Sequence, residues 1–165
     1  MNKYLTFIFF LIILSGCTKE TIISESNCYF DSNPPRNNHK VIIKQGVWGD
    51  VWFWSGDFMP VGRGKICQVE RKVMVFESTK LADVVQNGFS AFYTEVNTKL
   101  VKTIISDKDG FFQLDLQPGN YSLFIMEDDM FYANSFGSGG IIFPINIESE
   151  KVTEVRFDIT YNATF

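Results

Sequence analysis

From Val41 to Phe165 the chain repeats one pattern: short runs in which apolar and polar residues alternate, cut by turn-forming residues. A side-chain period of two fits a strand with one face buried and does not fit a helix. The last run is the clearest, with Val155, Phe157, Ile159 and Tyr161 alternating with Arg156, Asp158 and Thr160. Phe112, Leu114 and Leu116 stand opposite Gln113 and Asp115, and Tyr121, Leu123 and Ile125 share a face. Further runs lie at 41–47, 51–54, 71–77, 100–106 and 144–148. Between them come turn sequences such as Asp107-Lys108-Asp109-Gly110, Gln117-Pro118-Gly119-Asn120 and Gly137-Ser138-Gly139-Gly140. Only 78–86 has a helical look, about two turns long. The expectation is an all-β fold: a single sandwich of about seven mostly antiparallel strands over 41–165. Of the seventeen Phe, three Trp and six Tyr, Tyr4, Phe7, Phe9 and Phe10 lie in the first sixteen residues; the other 22 are enough to fill a small sandwich core with some left for a surface.

Composition removes several functions. Lys plus Arg is 15 against 19 Asp plus Glu, so no basic excess exists for nucleic-acid phosphates, and nucleic acid is not expected as a partner. One His excludes any site that needs two imidazoles. That residue, His39, sits in a polar stretch beside Asn38 and Lys40, which reads as a solvated position. No cofactor or metal motif stands out. An EF-hand beginning at Asp107 would need Glu at its twelfth position, where this chain has Pro118. The segment 107–110 therefore reads as a β-turn with side-chain-to-backbone hydrogen bonds. Glu127-Asp128-Asp129 reads as a second solvated turn.

The N-terminus is of a different kind. Met1-Asn2-Lys3 precedes an almost wholly apolar stretch at 4–14. Eleven helical residues span about 16 Å, whereas a bilayer core takes roughly 20 residues, so this is a signal-peptide core and not a span. Leu14-Ser15-Gly16-Cys17 follows and resembles the lipobox of bacterial lipoproteins. The resemblance implies cleavage before Cys17, lipidation of its thiol, and stable membrane attachment, because more than one acyl chain is added. Thr18 stands where an Asp would resemble the inner-membrane retention signal, so the outer membrane is the expected location. Lys19-Glu20 weakly resembles the surface-export signals of Bacteroidetes lipoproteins. Both the periplasmic and the cell-surface face remain open. Residues 1–16 are thus read as signal and 17–40, rich in Ser, Asn, Pro and charge, as a flexible tether. Cys28-Tyr29-Phe30 is too apolar for a pure linker and is a candidate to dock on the domain. With Cys17 lipidated, Cys28 and Cys67 form an even pair in a compartment that permits disulfides, and a bridge between them would pin the tether.

The run from Ser106-Asp107-Lys108-Asp109-Gly110-Phe111-Phe112 through Gln117-Pro118-Gly119-Asn120-Tyr121 to Leu123 resembles the signature of carboxypeptidase regulatory-like domains. Those domains are related in fold to transthyretin (prealbumin-like) and to collagen-adhesin B-type domains. The resemblance implies an Ig-like or transthyretin-like sandwich, and it implies no activity. Enzymes of similar fold, the hydroxyisourate hydrolases and intradiol dioxygenases, use several His residues and are disfavoured here.

Candidate contact residues come from the aromatic and loop-rich parts. Trp48, Trp52 and Trp54 share parity with Asp50, so a regular strand places them on one face. Exposed, that face would stack sugar rings or hold a peptide. Buried, it would lie under the tether or a long loop. Two loops add candidates: 56–64, with Asp57 and Met59, and 128–144, with Tyr132 and Asn134. The functional expectation is a non-enzymatic cell-envelope lipoprotein, a binding or adhesion-type accessory module for a glycan, peptide or protein partner. The alternative is a purely structural subunit docking on an outer-membrane complex.

Overall fold

The structure, a computed structural model, describes residues 27–30 and 32–165. The signal at 1–16, Cys17 and the first part of the tether lie outside the described residues. The fold is all-β and sandwich-like, with twelve strands among the described residues where the sequence pattern suggests about seven. In chain order these are β1 Cys28–Tyr29, β2 Gly46–Asp57, β3 Lys65–Gln68, β4 Lys72–Glu77, β5 Val84–Gln86 and β6 Phe92–Val96. They continue with β7 Leu100–Ile105, β8 Phe111–Leu114, β9 Gly119–Glu127, β10 Met130–Tyr132, β11 Pro144–Ile147 and β12 Val152–Thr164. The surplus consists mainly of short strands that pair at the edges of longer ones. Residues 78–86 contribute one 3-10 turn, Leu81–Asp83, followed by β5, not a helix.

The first sheet is ordered β1-β3-β2-β12, with β8 also on β2. β2 is its axis. One edge carries β12 in a parallel ladder from Val152↔Gly46 to Thr164↔Asp57. The opposite edge is shared by β8, facing Val47 to Asp50, and β3, facing Trp52 to Ser55. Val51 joins the two, donating its N–H to Gly110 O at 2.9 Å and accepting from Val69 N at 3.2 Å. Gly110 is indispensable there: its φ is +75°, and an added Cβ would lie 2.4 Å from Val51 O. The β2–β12 ladder slips between Ile159 and Asn162, a bulge on β12 that turns Tyr161 toward the second sheet.

The second sheet is ordered β5-β6-β10-β9-β4-β7, with β11 also on β9. Three strands separate β6 from β7, yet only residues 97–99 connect them. A flat sheet would ask that link to cross about 19 Å, and four Cα steps reach about 15 Å at most. The sheet therefore curls, and Glu77 N→Lys99 O at 3.0 Å closes the curl. Phe76, Phe124, Phe131 and Tyr93 pack edge-to-face inside it, at ring separations of 5.5 to 6.1 Å. Between the two sheets lie Val47, Val51, Phe53, Phe112, Phe157 and Ile159 against Val73, Val75, Leu123, Ile125 and Tyr132.

Residues 27–30 and 32–40, which the sequence assigns to the tether, lie on the first sheet. Cys28 and Cys67 are opposed across β1 and β3 and joined as a disulfide. The chain then returns across the outer face of β2. Gln68 Nε2 donates to Pro35 O at 3.1 Å, and Asn37 Nδ2 donates to Asp50 Oδ1 at 2.7 Å and to Asp109 O at 2.9 Å. Lys40 pairs with Asp107 and Asp109. The segment docked on the domain thus begins no later than Asn27.

Candidate functional site

The outer face of β2 is covered. Trp48 is 6% and Trp52 1% exposed, so Trp52 is not part of an open ligand surface. Trp48, Asp50 and Trp52 do share this face, since the register from Gly46 to Phe53 runs unbroken. The cover is the returning strap. Arg36 lies over both indoles, 5.4 Å from the Trp48 ring and 5.8 Å from that of Trp52, and Arg156 approaches Trp52 at 5.0 Å. Arg36 Nε also pairs at 2.7 Å with Asp50, whose side chain has no solvent exposure. Burial pushes the Asp50 carboxyl above the usual range, although the Asn37 bond and Arg36 both pull it down.

Tyr132 is likewise interior at 1% exposed. It packs 5.6 Å from Tyr161 and 5.0 Å from Phe92, and its hydroxyl accepts from Thr160 N at 3.1 Å. Next to it lies a buried charge: Glu127 is held by Arg71 and by the Tyr161 hydroxyl, which donates to Glu127 Oε2 at 2.9 Å. Burial first, and the Glu127 charge second, hold the Tyr161 phenol well above its ordinary range. These groups tie the sheets together, with the Tyr161 ring partly in solvent.

The acidic turns are also used locally. Asp107 Oδ1 accepts from Asp109 N at 2.9 Å and from Phe111 N at 3.0 Å. Among the described residues, no three His, Cys, Asp or Glu side chains gather as metal ligands do. His39 is exposed in the 3-10 turn Asn38–Lys40.

The remaining candidates converge at the far end of β2. Trp54 is half-buried, and its Nε1 donates to Asp158 Oδ1 at 2.8 Å. Asn134, from the long loop after β10, donates to Asp158 O at 3.0 Å and to Thr160 Oγ1 at 2.9 Å. Strand β2, through Trp54, and the 128–144 loop, through Asn134, therefore meet at Asp158. Asp57 is exposed and accepts the Met59 N–H at 2.9 Å, which shapes the turn into the 58–64 loop.

Three residues that sequence reasoning missed complete this end. Phe58 lies 4.9 Å from the Trp54 ring and is stacked on Phe165 at 5.5 Å. Phe165 reaches it because the parallel ladder brings Thr164 opposite Asp57. Phe30, placed by β1, lines a cleft of about 400 Å³ together with Gly62, Arg63 and Gly64. Gly64 makes room for Phe58, since an added Cβ would lie 2.5 Å from its ring. Much of this end stays in solvent: Val61 is 95%, Phe165 68%, Phe30 66% and Met59 49% exposed. The missed signal was the uncharged run Phe58-Met59-Pro60-Val61-Gly62 inside a loop. Chemically this end offers apolar contact, fixed aromatic faces and one guanidinium, a set suited to holding a surface or ligand. No protein-family model, curated protein or solved structure matches the chain, so its functional reading rests on these residues.

Proposed function

We propose that the protein is a non-enzymatic lipoprotein of the cell envelope, anchored at Cys17 in the outer membrane, that engages another envelope component in a binding or adhesion role. The observation that supports this most is the aromatic end. Trp54, Phe58 and Phe165 form a ring cluster beside Met59 and Val61, on a domain otherwise closed by a disulfide and buried ion pairs. An apolar surface left open on such a body is where contact is to be sought. The resemblance of 106–123 to carboxypeptidase regulatory-like domains agrees with a rigid sandwich that carries a contact surface and no catalytic set. Two experiments test the reading. Palmitate labelling of the full chain is expected to disappear in Cys17→Ala, and its persistence would refute the anchor. A photo-crosslinker at Met59 is expected to capture a glycan, peptide, protein or lipid in native membranes. Absence of any adduct would refute the contact surface.

A second reading is a structural subunit docked on an outer-membrane complex. It is favoured by Val61, an aliphatic loop tip of the kind a larger protein buries. Capture of one protein in stoichiometric yield would select it.

A further inference from the structure

At most ten residues separate the expected anchor from the domain. Asn27 comes ten residues after Cys17 and donates to Lys108 O at 2.7 Å, and Cys28 is fixed to Cys67. Ten residues reach about 35 Å fully extended and about 17 Å r.m.s. as a flexible coil. β1 is antiparallel to β3, which is antiparallel to β2, so β1 runs in the direction of β2, toward the aromatic end. Phe30 lies three residues, or about 10 Å of strand, beyond Asn27. The aromatic end is therefore within reach of the lipid surface to which the chain is tied.

We propose that this end rests on that bilayer, with the 58–62 loop and Phe165 entering the headgroup region. The inference depends on the lipid-anchored reading and names the lipid surface as the component contacted. The residue types fit. The loop Phe58-Met59-Pro60-Val61-Gly62 carries no charge, and its most exposed member, Val61, can form no side-chain hydrogen bond. A sugar site would need polar groups around a flat ring, whereas this tip ends in Pro60 and Val61. Trp54 presents an apolar ring whose N–H is already taken by Asp158, the division of labour found in aromatic residues at membrane interfaces. Arg63 follows the loop, lines the cleft and has no ion-pair partner among the described residues, so it is free to meet a lipid phosphate. The neighbouring acids are engaged, Asp57 by the Met59 N–H and Asp158 by Trp54 and Arg156.

The test uses the full-length lipidated protein in vesicles of phosphatidylcholine and phosphatidylglycerol, with bromines near the top of the acyl chains. Bromine quenches indole emission at short range. Trp54 is one of three Trp, so a loss of roughly a third of the emission is expected, and Trp54→Phe should remove that loss. A Val61→Asp, Phe165→Ser variant, changed only at exposed side chains, should stay with the vesicles through Cys17 and lose the quenching. Unquenched wild-type emission from protein that still floats with the vesicles would overturn the inference while leaving the anchor intact. Equal quenching in the double variant would overturn it too. Wild-type protein that fails to float and carries no lipid would refute the anchor, and the inference with it. Crosslinking from Met59 to a protein or glycan in preference to lipid would overturn the inference while leaving the contact-surface reading in place.

Discussion

Asp50 is a carboxylate removed from water in the middle of the longest ladder of the fold. Its two oxygens are held by Asn37 Nδ2 and Arg36 Nε, each at 2.7 Å, and Arg36 extends to Glu154 at 2.8 Å and to Val155 O at 3.0 Å. One side chain thus joins the strap to both strands of the ladder. Burial raises its proton affinity more than Asn37 and Arg36 lower it, and Glu154 adds to the rise. The folded chain therefore binds this proton more readily than the unfolded chain does. Stability contributed by Asp50 is full at low pH and is lost as pH rises through the raised carboxyl pKa. Asp50→Asn keeps the shape and an acceptor for Asn37 but removes the titration. Near neutral pH it should unfold at a lower denaturant concentration than the wild type, because its NH2 then faces the Arg36 Nε–H. As pH falls through the carboxylate range, the wild type should gain on it; a constant gap across that range would refute the assignment. Asp50→Ala instead leaves Asn37 and Arg36 facing a void, with an expected loss of about 2 to 3 kcal/mol in denaturant titrations.

At the scale of elements, the strap shows how a polar segment becomes part of a fold. Its side chains reach far along the chain: Asn37 Nδ2 donates to Asp109 O at 2.9 Å, and Lys40 pairs with Asp107 at 2.9 Å. The disulfide and the Arg36–Asp50 latch hold it at two separate points. Replacing Cys28 and Cys67 by Ser should cost about 4 kcal/mol on the chain-entropy account of a 39-residue separation. It should leave native tryptophan emission unchanged, because the latch still covers Trp48 and Trp52. A red shift in that emission under native conditions would mean that the disulfide alone holds the cover. What could be read beforehand divides along the same line. The faces of β8, β9 and β12 and the common face of Trp48, Asp50, Trp52 and Trp54 follow from local alternation, so they were legible. The parallel pairing of β2 with β12, the docking of the strap and the curl of the second sheet depend on partners remote in sequence. At 78–86, pairing of β5 with β6 prevailed over a weak helical pattern. In the candidate site, Trp54, Asp57, Met59 and Asn134 were legible from loop and aromatic content. Phe165 and Phe30 were not, because their places at that end are set by the β2–β12 and β1–β3 ladders.

At the scale of the whole molecule, the number of residues between Cys17 and Asn27 governs, on the proposed lipid-anchored reading, how the domain stands relative to the membrane. A tether of some 22 residues would carry the sandwich about 26 Å from the lipid on average, whereas the docked strap leaves ten residues before Asn27. If the aromatic end meets the bilayer only weakly by itself, its contact is driven by the local concentration that this short link imposes. Effective concentration falls roughly as the −3/2 power of linker length once the link can span the gap. Inserting twenty Gly/Ser residues between Cys17 and Asn27 triples the link, so capture of lipid by a photo-crosslinker at Met59 should fall by about five-fold. Palmitate labelling should be unchanged, because Leu14-Ser15-Gly16-Cys17 is untouched, and so should thermal stability, because the insertion lies outside the strands and strap of the domain. The same insertion with Val61→Asp should show only background capture at either linker length. Undiminished capture with the long linker would mean that the aromatic end holds the bilayer through its own affinity. The tether would then act as a retainer, and the reach of ten residues would no longer explain the orientation of the domain.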